Sequence, residues 1–159
     1  MDIRDIMTTS PRWCLPTDSA SKVARMMKEI DAGLIPVVES AESRRLIGVV
    51  TDRDLCLEVI AESRDPDTVP VKDAMTRTLI CCLPEDEMQK ALDLMRENQV
   101  RRIPVVDQQG ILQGIVSMAD LLHRAEVPSN ETHETLKKVS EPSDISSQPR
   151  AQQSKIAMH

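Results

Sequence analysis

Two short strings in this 159-residue chain carry side chains able to hold a polar ligand: Gly48-Val49-Val50-Thr51-Asp52-Arg53-Asp54-Leu55 and Gly114-Ile115-Val116-Ser117-Met118-Ala119-Asp120-Leu121. A hydroxyl residue at a strand-to-helix junction leaves N–H groups facing outward, and such a helix start attracts phosphate. The acid three residues on, Asp54 or Asp120, can accept the two hydroxyl hydrogen bonds that a ribose diol offers. Each charge-assisted contact of that kind is worth roughly 1.5–3 kcal/mol. The glycine that opens each string lets another group come close to the strand backbone. Taken singly, either string also reads as an ordinary capping box, in which hydroxyl and carboxylate serve only the helix.

The two strings belong to a longer repetition. Met7 falls on Met75, Pro16 on Pro84, Met27 on Met95 and Pro36-Val37-Val38 on Pro104-Val105-Val106; after a loop two residues longer in the first copy, Gly48, Thr51 and Asp54 fall on Gly114, Ser117 and Asp120. A repeat decides the fold before any single element does. Each copy opens with Asp-x-Met-Thr (Asp5 to Thr8; Asp73 to Thr76) and a brief extended stretch ending at Pro16 or Pro84. Apolar residues then recur at helical spacing, Ala20, Val23, Met26, Met27 and Ile30 in one copy, Met88, Ala91, Leu92 and Met95 in the other. These helices are predicted to run to about Ile30 and Gln99. Strands follow at Leu34 to Val38 and Ile103 to Val106, then at Leu46 to Val50 and Ile111 to Val116, with a last helix after Thr51 or Ser117. Asp107-Gln108-Gln109-Gly110 supplies turn chemistry to the second hairpin, and the first uses Glu39 to Arg45.

This order predicts an α+β protein of two β-α-β-β-α units: residues 1–63, a linker at 64–70, and residues 71–126. A unit of roughly 60 residues buries too little surface to stand alone, so the two sheets are expected to share one core. From residue 127 to 159 the chain turns polar, with a short helix expected near 132–139 and a disordered end.

Bulk composition narrows the function classes. Phe and Tyr are absent and Trp13 is the single aromatic, so no base-stacking platform exists and the core is aliphatic. A net charge of -6 disfavours nucleic acid and anionic lipid as partners, and no apolar run reaches membrane-spanning length. The start, Met1-Asp2-Ile3-Arg4-Asp5, lacks the order of a signal peptide, and a cytoplasmic location is expected. Four cysteines, Cys14, Cys56, Cys81 and Cys82, match neither a zinc framework nor a CxxC pair. Cys14 and Cys82 read as buried apolar residues, and Cys81 as the more exposed thiol. His123 reads as a surface residue, Trp13 as a strand-edge or contact residue. No nucleophile–base pair, metal cluster or paired carboxylates emerge, so no enzymatic activity and no metal site are expected.

Pro-Val-Val, a short hairpin, Gly-aliphatic-aliphatic-Thr/Ser-x-x-Asp-Leu and an upstream Asp-x-Met-Thr, twice in tandem over residues 1–125, resemble the CBS domain pair, or Bateman module. The Thr-Asp-Arg-Asp and Val-Arg-Arg-Ile-Pro-Val strings are similar to those of stand-alone bacterial pairs called hypoxic response proteins. The resemblance implies a pseudo-two-fold module that binds adenosine nucleotides (AMP, ADP or ATP) in clefts between paired repeats. It implies no obligatory cofactor, a homodimer, and a regulated partner protein to which energy state is signalled. Carried onto this chain, the pattern makes Asp54 and Asp120 the ribose ligands, Thr51 and Ser117 the phosphate-side hydroxyls, and Arg102, assisted by Arg101, a basic phosphate ligand. Ile80 and Cys82, or Arg12 and Cys14, would flank the adenine, and Thr78 joins the same set.

The copies differ where it matters. Gly33 and Leu34 stand opposite Arg101 and Arg102, and Arg53 stands opposite Ala119, so the second site is expected to be the better phosphate binder. Two other readings remain: a scaffold whose sites are vestigial or take NAD, S-adenosylmethionine or a metal, and a thiol-based stress sensor using Cys81 or Cys14.

Overall fold

The computed structural model describes residues 1–124 and 129–140. In chain order the elements are α1 (Ile3–Ile6), β1 (Thr8–Thr9), α2 (Ala20–Ile30), β2 (Leu34–Val38), β3 (Leu46–Thr51), α3 (Asp52–Leu55), α4 (Met88–Asn98), β4 (Arg102–Val106), β5 (Leu112–Ser117), α5 (Met118–Arg124) and α6 (Ser129–Ser140). Helix α3 continues as a π-helical turn over Cys56–Ile60, and a 3₁₀ turn at Val71–Asp73 stands where the first copy has α1. Mixed helices and two small sheets give the expected α+β class. The expected end of the tail lies outside the described residues.

The helices form where apolar spacing and caps agree. Ser19 caps α2 by accepting the Lys22 N–H at 3.2 Å, and Val23, Met26 and Met27 line its buried face. Both long helices end in a left-handed residue, Asp31 at φ 50° and Gln99 at φ 55°, which stops the helix and turns the chain into the next strand. The β-branched strands that follow pair as antiparallel hairpins in matching register. Leu34 faces Thr51 and Val37 faces Gly48 in one; Arg102 faces Ser117 and Val105 faces Gly114 in the other. Each hairpin has a bulge at the corresponding place, between Val37 and Val38 and between Val105 and Val106. The short extended stretches before Pro16 and Pro84 reduce to single parallel bridges, Cys14 to Val37 and Cys82 to Val105.

Units of packing do not follow the units of repetition. One compact unit is Arg12–Leu79; the other joins Met1–Pro11 to the chain from Ile80 onward. The opening segment of each copy is therefore built into the body of the other. Strand β1 pairs with β5, Thr8 on Ile115 and Thr9 on Gly114, and Thr76 bridges Val49 of β3 in the same way. The Ile3 and Arg4 N–H groups donate to the Asp86 and Pro84 carbonyls, as those of Val71 and Lys72 donate to Asp18 and Pro16.

The buried apolar side chains form two clusters, one in each unit. Val71, Ala74 and Met75 complete one around Val23, Ile35, Val37 and Val50; Ile3 and Ile6 complete the other around Leu92, Met95, Ile103 and Leu121. The physical reason is that each hairpin-and-helix body lacks a side to its core, and the imported opening segment supplies it. Helix α6 adds Val139 to the second cluster, lying along α4 with the Gln99 Nε2 donating to the Lys138 carbonyl at 3.4 Å.

Candidate functional site

Glycines 48 and 114 answer to the opening segments. A Cβ on Gly48 would lie 2.7 Å from the Thr76 carbonyl oxygen, and one on Gly114 would lie 2.7 Å from that of Thr8. The close approach that each glycine permits is thus filled by the threonine of Asp-x-Met-Thr. That links two motifs which the sequence shows only as separate strings.

Three residues beyond each glycine, strand passes into helix, and the hydroxyl and carboxylate bond each other's backbone. Thr51 N–H donates to Asp54 Oδ2 at 2.9 Å, and Asp54 N–H to Thr51 Oγ1 at 3.1 Å. In the second copy Ser117 N–H donates to Asp120 Oδ2 at 2.9 Å, Asp120 N–H to Ser117 Oγ at 3.1 Å, and Ser117 O–H to Asp120 Oδ2 at 2.6 Å. Each pair is a reciprocal capping box, so the ordinary reading of the strings is realised. It does not exhaust the carboxylates, because the capping bonds to both aspartates fall on Oδ2.

The outward-facing N–H groups expected at these helix starts are largely taken. Asp52 N–H donates to the Gly33 carbonyl at 3.0 Å and Met118 N–H to the Arg101 carbonyl at 2.9 Å, tying each helix to the turn before its hairpin. In the first copy the next N–H is covered as well, Arg53 donating to Asp52 Oδ1 at 2.8 Å. The reason is local: an acid in the first helical position reaches back over the helix end, and Met118 in the second copy has no oxygen with which to do so.

The two carboxylates sit in different surroundings. Asp54 is only 6% exposed. Burial, the largest influence, pushes its carboxyl up to about 6; the Thr51 hydrogen bonds and Arg53 oppose that push and Glu58 adds to it. Asp120 is half-buried, as are Ser117 and Arg102, and Arg101 and Ala119 are exposed.

Within the unit that carries the second copy, the fold brings Arg101, Arg102, Ser117, Ala119 and Asp120 to the end of one hairpin where β5 meets α5. Ile80, half-buried, and Cys82, fully buried, precede α4 in the same unit. Thr51, Arg53 and Asp54 occupy the corresponding end of the first hairpin, with Arg12, Cys14 and the exposed Thr78 in that unit. Sequence reasoning passed over Asp52, although an acid directly after a capping threonine is a visible sign that the helix end is served from within.

The thiols differ from expectation in one respect. Cys14 and Cys82 are buried and pushed up to about 12, chiefly by that burial. Cys81, expected to be the exposed thiol, is half-buried and pushed up by burial to about 11, and the exposed cysteine is Cys56. Alternation of faces does separate the neighbouring pair, Cys82 buried and Cys81 half-buried, although Cys81 is still partly covered. Among the described residues no three His, Cys, Asp or Glu side chains converge to hold a metal ion.

The family described as CBS domain matches this chain twice, over residues 3–61 and 71–126. The chain belongs to the CBS domain family. The CBS domain-containing protein YhcV of Bacillus subtilis (strain 168) is 38% identical over 119 residues, which is 75% of this chain and 81% of YhcV. The crystal structure of Hypoxic Response Protein I with two coordinated zinc ions is similar at a TM-score of 0.70 and 30% identity, covering 80% of this chain and all of that one. The CBS domain pair of protein MJ0100, in complex with 5′-methylthioadenosine and S-adenosyl-L-methionine, shares the fold at a TM-score of 0.69 and 20% identity over 78% of this chain and 94% of that pair. This CBS pair thus carries two hairpin-to-helix junctions of one frame and unlike charge.

Proposed function

We propose that this CBS pair is a non-enzymatic regulatory module that senses energy state by binding an adenosine nucleotide (AMP, ADP or ATP) and signals to a partner protein. It acts as a homodimer in the cytoplasm. The observation that carries the reading is the placing of Arg102 directly across from Ser117, with Arg101 beside it and Asp120 three residues further on. Two guanidinium groups can take up a phosphate, joined by the Ser117 hydroxyl when it turns its proton from Asp120 Oδ2 to the ligand, and a carboxylate with one oxygen outside the capping bonds can accept a ribose diol. Ile80, half-buried, offers an aliphatic wall to the adenine, as a chain without Phe or Tyr requires, and Cys82, buried in the core, contributes its backbone beside it. The adenosine ligands of the MJ0100 pair agree with this choice of ligand class.

In this reading Asp54 holds the ribose of a ligand in the first copy and Thr51 is the phosphate-side hydroxyl, Arg53 flanks them, and Thr78 belongs to the set that lines the ligand. The first copy is the weaker phosphate binder because Leu34 stands where the second has Arg102. Titration calorimetry of the purified chain with AMP, ADP and ATP tests the proposal. Heat of binding for at least one, abolished by Asp120→Ala, is the expected result; silence for all three at millimolar concentration removes it.

A further inference from the structure

We infer that the Asp52 carboxylate is a built-in stand-in for phosphate, so that the first copy takes an adenosine compound whose 5′ substituent is neutral or cationic. The inference rests on the proposed adenosine function and assigns a ligand class to one of its two sites. Its first support is position. A Cβ added to Gly33 would lie 2.9 Å from Asp52 Oδ2, so this carboxylate lies against the position that the second copy fills with Arg101.

A second support is what the carboxylate does there. Its Oδ1 accepts the Arg53 N–H at 2.8 Å, whereas the equivalent Ala119 N–H meets no such group, Met118 standing in place of Asp52. A third is the hairpin register, which sets an uncharged Leu34 across from Thr51 where Arg102 lies across from Ser117. Negative charge is therefore already present on the phosphate side of the first copy, and a ligand phosphate would meet repulsion without a guanidinium from the facing strand. Of the two basic side chains of that set, Arg12 is paired with Glu29 at 3.6 Å, and Arg53, exposed, directly follows the acid that offsets it. Asp54 remains able to accept the ribose diol, so the adenosine part of the recognition is kept.

The test uses three probes on the full chain: AMP, adenosine and 5′-amino-5′-deoxyadenosine, titrated by calorimetry. In an Asp120→Asn chain, which weakens the second site, the remaining site is expected to bind the 5′-amino compound at least about ten-fold more tightly than AMP. Asp52→Asn on that background keeps the shape and removes the charge. It is expected to tighten AMP by about ten-fold while leaving adenosine within about two-fold. AMP bound as tightly as the 5′-amino compound with Asp52 intact, or no gain of AMP in Asp52→Asn, overturns the inference. Should Asp120→Asn fail to give a cooperative thermal melt, wild type and Asp52→Asn are compared directly. One AMP per chain rising to two is then expected, and an unchanged stoichiometry overturns it. Binding without discrimination sinks this inference alone, whereas no binding of any probe to the wild-type chain sinks the proposed function with it.

Discussion

Arg102 and Ser117 face each other across the β4–β5 ladder, at the last paired position before the strand gives way to helix α5. In the first copy the same pairing sets Leu34 against Thr51. Identical register thus turns a sequence difference into a difference of charge beside an otherwise common hydroxyl-and-carboxylate frame. Replacing Arg102 by Leu imposes the first copy's pairing on the second. AMP affinity is expected to fall by about ten-fold or more, in line with one lost charged hydrogen bond. Calorimetry at two salt concentrations checks it, since the lost contact should take part of the salt dependence with it. An Arg102→Leu chain that binds AMP as the wild type does would show that the guanidinium is only surface charge.

Asp54 offers a test on the pH axis. The carboxyl has an ordinary value of 3.8 in the unfolded chain and is held near about 6 by burial in the folded one. Stability linked to its proton is full below the unfolded value and is lost as pH rises through the folded one, because the unfolded chain then releases a proton that the fold retains. Above about 6 the folded chain carries a buried charge. Asp54→Asn keeps an oxygen for the Thr51 N–H and removes that charge. It is expected to stabilise the ligand-free chain at pH 7 by on the order of 2–3 kcal/mol, and to have little effect at pH 4. Urea unfolding at the two pH values reads this, and equal effects at both would refute it. The same variant should lose adenosine binding in the first copy, so stability and function move in opposite directions.

The glycines give a purely structural prediction. At Gly48 and Gly114 a methyl group would press on a threonine carbonyl that is itself hydrogen-bonded: Val49 N–H donates to the Thr76 carbonyl at 3.0 Å, and β1 pairs with β5 beside Gly114. Gly48→Ala and Gly114→Ala are each expected to cost about 1–3 kcal/mol through overpacking. Thermal melts should fall by several degrees, and an unshifted melt would mean that the opening segments can move aside without loss.

Thiol reactivity should separate the four cysteines. Cys56 is exposed, whereas Cys14, Cys81 and Cys82 have their thiols pushed up by burial. The thiolate is the reactive form, so iodoacetamide at pH 8 is expected to label Cys56 first and Cys14 and Cys82 only on unfolding. Intact mass of wild type and Cys56→Ser decides it. Rapid modification of Cys56→Ser under native conditions would revive a sensor based on Cys14 or Cys81.

The repeated sequence by itself determined the element order, the two hairpins, the long helices and the places of Thr51, Asp54, Ser117 and Asp120. Those features follow from periodicity and turn chemistry within short windows, where neighbours along the chain are also neighbours in space. It also showed that Arg101 and Arg102 have no counterpart at Gly33 and Leu34. Tertiary structure alone decided that Met1–Pro11 and Val71–Leu79 complete the cores of the opposite copies, that Gly48 and Gly114 make room for the threonines of those segments, and that Asp52 fills the space beside Gly33. Each of these depends on contacts between residues far apart in sequence or on the direction of a single side chain. Hydrophobic pattern is blind to both: a buried isoleucine has the same spacing signal whichever core receives it, and an aspartate at a helix start looks alike whether it meets solvent or stands in for a ligand's charge.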